Sequence, residues 1–487
     1  MQLPEAAEPA IAALRANLRG GRLPADALAE ILPDLRQRPL ESWLAVASWL
    51  QVAGIPAAAA ELLEAARPRW PHDVRLLYLL GSALRACRMP RRAEELFRQV
   101  LAQQPDHEFA SISLSLCLRD GGRLRAAAAA VRAPERLPAP EDVLRRVGIL
   151  FDCRDYAAVE VLCARALDAG HPPALPHLHA GRAAHAQGRF DAAREHLLAS
   201  LGAGLDLAEW GGILLFLAGA QKYTDASHPD LVRFRSALDE SALAPHARCA
   251  AAFALGKALD DLGDFGGAAA SFRMANGWAA AQRPWSGDGW RALMRQRLAA
   301  NVPSPARAPS AAVLPVFVVG LPRTGTTLVA DLLGRHPAVR NRGETAWIPY
   351  IARQLGKRAE RSDAATLREA GELYRRQIRQ DDAPAACYID KNPLNFRYLG
   401  LIARMLPEAR VVHCVRAPGD TALSIWSQYF EDRDCDFAYG FDSIAAVMQG
   451  EAALLRHFTA LGVLPVHTVE YESLVTDPAA ALAGLGA

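Results

Sequence analysis

The feature that most constrains this chain is a period. In LLYLLGSALRACRMPRRAEELFRQVLAQQP, residues 76–105, Leu77, Leu80, Gly81, Leu84, Ala93, Phe97 and Pro105 alternate large and small apolar residues at helical spacing. One period of about 34 residues earlier, Trp43, Leu50, Gly54, Ala59, Leu63 and Pro71 fall in the same phase. A third unit carries Leu255, Gly256, Leu259, Gly263, Ala268, Phe272 and Ala275, and a fourth carries Gly181, Gly188, Ala193 and Leu197. Small residues let two helices approach and larger ones fill the groove between them. One such pair cannot bury its apolar face, so neighbours must stack. A generic helical bundle would not keep several units in one register.

These units resemble tetratricopeptide (TPR) repeats. The resemblance implies an α-helical solenoid whose concave face binds a peptide or protein partner. Residues 108–141 and 142–173 are weaker units. The segment 208–248, with Trp210–Gly212 and Thr224–Asp230, breaks the pattern. The expected organisation is a helical cap over 1–39, repeats over 40–285, a Pro- and Ala-rich linker over 286–313, and a β-containing domain over 314–487.

The formal net charge is +2 over 487 residues, which argues against a nucleic-acid coat or a polybasic membrane binder. The eight cysteines form no C-x-x-C pair, as expected of free thiols in a reducing compartment. The N-terminus lacks the pattern of a secretory signal, and no apolar run is long enough for a membrane span. A cytoplasmic protein, with no membrane and no nucleic-acid partner, is expected.

The second half opens with VFVVGLPRTGTT, Val316 to Thr327. The interval from Gly320 to Gly325 is that of G-x-x-x-x-G-K-[ST], a phosphate loop, but Thr326 stands in place of the lysine and Arg323 lies inside the loop. A short strand precedes the loop, and TLVADLLGRHP has helical spacing after it. Backbone N–H groups therefore converge on an anion at a helix N-terminus. Thr326 and Thr327 add hydroxyl donors, and Arg323 a permanently charged fork. Alone, a Gly-rich turn is no more than a strand–helix connection. Further on, VVHCV leads into Arg416 and a helix holding Ser424; a strand's carboxyl end is where open α/β sheets bind ligands. Lys391 precedes an Asn-Pro turn in YIDKNPLNF, and Glu344 lies in NRGETAWIP. His413 reads as buried structure within a strand. His177 and His179, two apart on a helix, do not share a face, so no metal site is expected there.

GLPRTGTT together with VRAPGDTALS resembles the two nucleotide-binding signatures of sulfotransferases that use 3′-phosphoadenosine 5′-phosphosulfate. The closest likeness is to bacterial proteins joining TPR repeats to such a domain, and a more distant one is to tyrosylprotein sulfotransferases. VEYESLVTDP, Val469 to Pro478, also resembles this family. The resemblance implies an α/β P-loop-like domain with a parallel sheet. It implies that Arg323, Thr324, Gly325, Thr326 and Thr327 bind the 5′-phosphosulfate and that Arg416 and Ser424 bind the 3′-phosphate. Glu344 falls where the tyrosylprotein enzymes carry a general base, in a run one residue shorter, and Lys391 matches a lysine that contacts the transferring group. A sulfuryl group carries less charge than a phosphoryl group, so cationic side chains suffice and no metal is expected. The acceptor is a hydroxyl, with protein tyrosine the specific expectation. The family pattern continues beyond YESLVTDP through a segment that closes over the nucleotide, so the domain is expected to be short at its C-terminus. Two alternatives stay open: a TPR scaffold with a nucleotide-binding but catalytically impaired domain, and a P-loop kinase, which would want lysine at Thr326.

Overall fold

The structure is a computed structural model that describes residues 8–19, 24–132, 134, 136–204, 210–240, 242–299, 302, 313–356 and 362–483. The chain divides into two compact units, Met1–Gln187 and Gly188–Ala487. None of the described helices is long and apolar enough to cross a membrane. All eight cysteines are free thiols.

The first unit is all helix among its described residues. It holds α1 (Glu8–Arg19) and α2 (Pro24–Leu35), α3 (Leu40–Val52) and α4 (Pro56–Ala66), α5 (Val74–Ala86) and α6 (Pro90–Gln103), α7 (Glu108–Asp120) and α8 (Leu124–Val131), α9 (Pro140–Asp152) and α10 (Tyr156–Asp168), then α11 (Ala174–Ala186). From α3 onward the first helices of successive pairs begin at 40, 74, 108 and 140, steps of 34, 34 and 32 residues. The short step explains the weak units of the sequence pattern. Helix α8 stops at Val131 and α9 begins two residues early, so the phase slips there.

Packing follows the small-against-large rule. A Cβ on Gly81 of α5 would lie 2.8 Å from Cε1 of Phe97 on α6, so only glycine lets these helices close. Two residues past α3, α7 and α11 the chain turns at Gly54, Gly122 and Gly188, with φ of 73–77°, whereas after α5 and α9 that place is taken by Arg88 and Arg154 at 59° and 58°. Between pairs, the buried Arg146 of α9 donates to Glu108 of α7, Nε to Oε1 at 2.6 Å.

The second unit begins with α12 (Phe190–Gly202), α13 (Trp210–Gly219), α14 (Pro229–Asp239), α15 (Pro245–Asp261) and α16 (Phe265–Gln282). Gly256 of α15 meets Phe272 of α16 as Gly81 meets Phe97; its Cβ would lie 2.6 Å from the ring. The segment 208–248 loses the repeat sequence without losing helices. Its pair is organised around a polar hub instead: the buried Asp230 accepts from Arg194 and Arg233, both at 2.8 Å, and from the Tyr223 hydroxyl at 2.9 Å.

The linker expected over 286–313 is corrected at its start. Gly287–Leu298 is a helix, α17, capped by the Ser286 hydroxyl, which accepts from Gly289 N–H at 3.0 Å. Its Trp290 and Met294 pack against Gly450 on α23 (Phe441–Ala460), and Trp290 Nε1 donates to Ala446 O at 3.1 Å. A tryptophan and a methionine four residues apart make one apolar stripe, which the surrounding prolines and alanines obscured. Residues 300, 301 and 303–312 lie outside the described residues.

A parallel sheet follows. Its strands are β1 (Leu314–Gly320), β2 (Val339–Asn341), β3 (Cys387–Asp390), β4 (Arg410–Val415) and β5 (Val466–Glu470), in the order β2-β3-β1-β4-β5 with every pairing parallel. Between them run α18 (Thr326–Gly334), α19 (Trp347–Leu355), α20 (Ala364–Arg379), α21 (Leu399–Met405), α22 (Pro418–Trp426) and α23. α24 (Tyr471–Thr476) and α25 (Pro478–Ala483) come last. From β1 the chain goes through α18 to β2 at one edge; after β3 it crosses to β4 on the other side of β1. The direction of winding therefore reverses between β1 and β4, which opens a crevice at their carboxyl ends.

Candidate functional site

Both sequence motifs end at this crevice. β1 is buried from Phe317 through Gly320, where it pairs with Cys414 of β4. The loop after it turns at Arg323, whose φ of 73° is unusual for a side-chain-bearing residue, and at Gly325, φ 87°. Gly325 caps α18 and has no side chain to accept from the first-turn N–H groups. Those donors are left for another partner, at the positive end of a nine-residue helix. Thr324 and Thr326 are buried, the former donating its hydroxyl to Leu321 O at 2.8 Å; Thr327 and Arg323 are exposed.

Across the crevice stand Arg416, at the end of β4, and Ser424, on α22. Arg323 Nε donates to Ser424 Oγ at 3.2 Å, and Arg416 Nη1 donates to the Arg323 carbonyl at 3.3 Å. Two motifs 101 positions apart thus interlock in space. A third segment, which the sequence marked only as a family-like stretch, closes against both. The Tyr471 ring lies under the Arg416 guanidinium, 4.8 Å from Cζ to centroid, and a Cβ on Gly325 would come within 2.7 Å of that ring. Glu472 accepts from Ala417 N–H at 2.9 Å; that bond, with Arg416 nearby, holds its carboxyl below the usual carboxylate range. Arg416 Nε is buried and has no protein partner. A buried, unpaired guanidinium N–H beside an uncapped helix end is a donor set suited to a polyanion.

The other two predicted residues meet at the end of β3. Lys391 Nζ donates to Glu344 Oε1 at 2.5 Å; the lysine is buried, whereas the glutamate side chain is 63% exposed. Beneath them lies Asp390, wholly buried. It accepts from Thr345 Oγ1 at 2.7 Å, from the Tyr374 hydroxyl at 3.0 Å and from Asn395 Nδ2 at 3.5 Å. Burial dominates its titration and pushes the carboxyl up to about 7 against those hydrogen bonds. One buried carboxyl therefore grips the residue after Glu344 and directly precedes Lys391. Sequence reading missed Asp390, Thr345 and Tyr471. The DK pair in YIDKNP was a visible signal for Asp390; Tyr471 shows its place only once β5 is known to lie beside β4. His413 is buried on β4, its Nε2 3.2 Å from Glu451 Oε1. His179 is half-buried against Phe151, and desolvation takes it down to about 4.

The fold and these loops define a parallel α/β domain whose topological switch point brings together Arg323, Arg416, Ser424 and the uncapped start of α18. The sequence model of the Sulfotransferase family matches residues 315–487. Similar proteins include an uncharacterized protein of Aquifex aeolicus, 29% identical over 180 residues (34% of this chain, 24% of that one). The protein-tyrosine sulfotransferase of Drosophila melanogaster is 34% identical over 128 residues (23% of this chain, 25% of that one). Protein-tyrosine sulfotransferase 1 of Danio rerio is 32% identical over 181 residues (34% and 49%). The chain spans about a quarter of the length of the first two relatives. Among solved structures, a Thermus thermophilus TPR protein aligns at TM-score 0.19 and 21% identity, over 44% of this chain and 98% of that one. Naa15/Naa10 bound to HypK-THB aligns at TM-score 0.33 and 13% identity, over 91% of this chain and 60% of that one.

Proposed function

We propose that the chain transfers a sulfuryl group from 3′-phosphoadenosine 5′-phosphosulfate to an acceptor hydroxyl. The observation that carries this reading is the interlock of Arg323 with Ser424 and Arg416 at the β1–β4 crevice. It brings two cationic centres and an uncapped helix end together, as a donor phosphorylated at both ends of its ribose requires. In this reading Arg323, Thr324, Gly325, Thr326 and Thr327 hold the 5′ end and Arg416 and Ser424 the 3′-phosphate.

Glu344 takes the proton from the acceptor oxygen as that oxygen bonds to sulfur, and the sulfur–oxygen bond to the 5′-phosphate breaks. Lys391 neutralises charge growing on the sulfuryl and bridging oxygens. The products are a sulfate ester and 3′,5′-adenosine bisphosphate. Two cations in the loops, one lysine and one carboxylate do this largely by position and electrostatics. Protein tyrosine is the acceptor we propose, supported by the names of the relatives, with the helical array recruiting the acceptor protein or a partner.

The test is transfer of radiolabelled sulfate from the donor to a tyrosine-containing acidic peptide and to proteins of a cell lysate. Label on tyrosine, lost in Lys391→Ala and in Glu344→Gln, supports the reading. Donor binding with no label on any acceptor favours a scaffold.

A further inference from the structure

We propose that Asn276, on the last helix of the repeat-like pairs, is a positioning residue for the donor site: it holds α22, and with it Ser424, in register with Arg323. The inference rests on the donor reading above.

Asn276 is 2% exposed and lies 150 positions before its partner. Its Nδ2 donates to Phe272 O within α16, at 2.7 Å, and to Trp426 O at 2.9 Å. Trp426 is the last residue of α22, so its carbonyl is one of those a helix end leaves unpaired. The asparagine supplies the missing donor from outside the helix. Around this bond the rings interleave: Phe272 meets Trp426 edge-on at 6.0 Å, and Trp426 stacks on Phe441 at 5.1 Å. Ser424 sits two residues, about half a turn, before the clamped carbonyl.

Two more anchors continue the clamp. Arg283, just past α16, donates from Nη1 to Phe430 O at 2.5 Å and pairs with Asp436. Trp290 of α17 fills the space above Gly450. The backbone from Trp426 to Gly450 is thus fastened to the helical region at three places, none of them touching the anion loops. The Ser424 hydroxyl accepts from Arg323, and that bond depends on where α22 lies. A packed interface shifts in steps rather than smoothly, so loosening the clamp should separate the two halves of the donor site.

The experiment titrates the full chain calorimetrically with 3′,5′-adenosine bisphosphate. Asn276→Leu keeps the volume and removes the donor; its affinity should fall about tenfold, the scale of one lost buried hydrogen bond. Ser424→Ala should weaken binding similarly. The double variant should be no weaker than Ser424→Ala within about twofold, because both act through one contact. Leu63→Ala, which destabilises the array far along the sequence, should leave the affinity unchanged. Phe272→Leu, should Asn276→Leu fail to fold, removes the ring against Trp426 and should weaken binding in the same direction. Wild-type affinity in Asn276→Leu, or losses that multiply in the double variant, would overturn the proposal. If wild type does not bind the bisphosphate at all, the donor reading itself has failed; if Arg416→Ala loses binding and Asn276→Leu does not, only the positioning role has.

Discussion

Replacing Gly325 by alanine separates two costs that the loop between β1 and α18 combines. The residue has φ 87°, and a Cβ there would sit 2.7 Å from Cδ2 of Tyr471. A left-handed alanine costs about 1–2 kcal/mol. Overlap with a ring that already bears Arg416 on its face adds about 1–3 kcal/mol. The expected destabilisation is therefore about 2–5 kcal/mol in urea denaturation. Gly462→Ala is the reference, because Gly462 has φ 62° and nothing within 4 Å of its Cβ position; it should show only the conformational cost. The excess of Gly325→Ala over Gly462→Ala measures the closeness of Tyr471. Any movement of that ring displaces Arg416, so bisphosphate binding should be lost in Gly325→Ala and kept in Gly462→Ala. Equal destabilisation of the two variants, with binding retained in both, would refute the contact between α18 and the segment after β5.

Asp390→Asn should change how stability depends on pH. Burial raises this carboxyl from 3.8 to about 7, so between those values the folded protein holds a proton that the unfolded chain has released. Wild-type stability should fall as pH rises through that window and level off above it. The variant should lack the slope and gain on wild type from about pH 4 to about pH 7, read from urea midpoints. In the array, Arg154→Gly relieves a left-handed arginine at φ 58° and should stabilise by about 0.5–1 kcal/mol, net of the freedom glycine adds to the unfolded chain. Gly81→Ala should destabilise by about 1–3 kcal/mol against Phe97, 2.8 Å away, whereas Gly148→Ala, in open space within α9, should stabilise by about 0.5–1 kcal/mol. Equal effects at the two glycines would contradict the packing described for α5 and α6.

What could be read in the sequence was local. Gly81 against Phe97 and the turn glycines Gly54 and Gly122 obey a fixed period, so a pattern within one chain segment displays them. The GLPRTGTT loop is likewise contiguous, and its position after a buried strand and before a helix is written in its own residues. The phase was lost where α9 arrives two residues early, and α13 and α14 were hidden because Asp230 and its partners replace the small-and-large code. Tyr471, Asp390 and Asn276 could not be assigned from sequence, because each takes its meaning from a distant partner. Tyr471 needs β5 beside β4, Asp390 needs Thr345 and Tyr374 brought over β3, and Asn276 needs a helix end 150 residues away.

The central claim is that the β1–β4 crevice holds a nucleotide phosphorylated at both the 3′ and 5′ positions. The direct measurement compares the calorimetric affinities of 3′,5′-adenosine bisphosphate, 5′-AMP and ATP with magnesium, in wild type and in Arg416→Ala. The account predicts that wild type strongly prefers the bisphosphate, that Arg416→Ala abolishes the preference over 5′-AMP, and that magnesium adds nothing. Metal-dependent ATP binding tighter than the bisphosphate, or no discrimination by the 3′-phosphate in wild type, would contradict it.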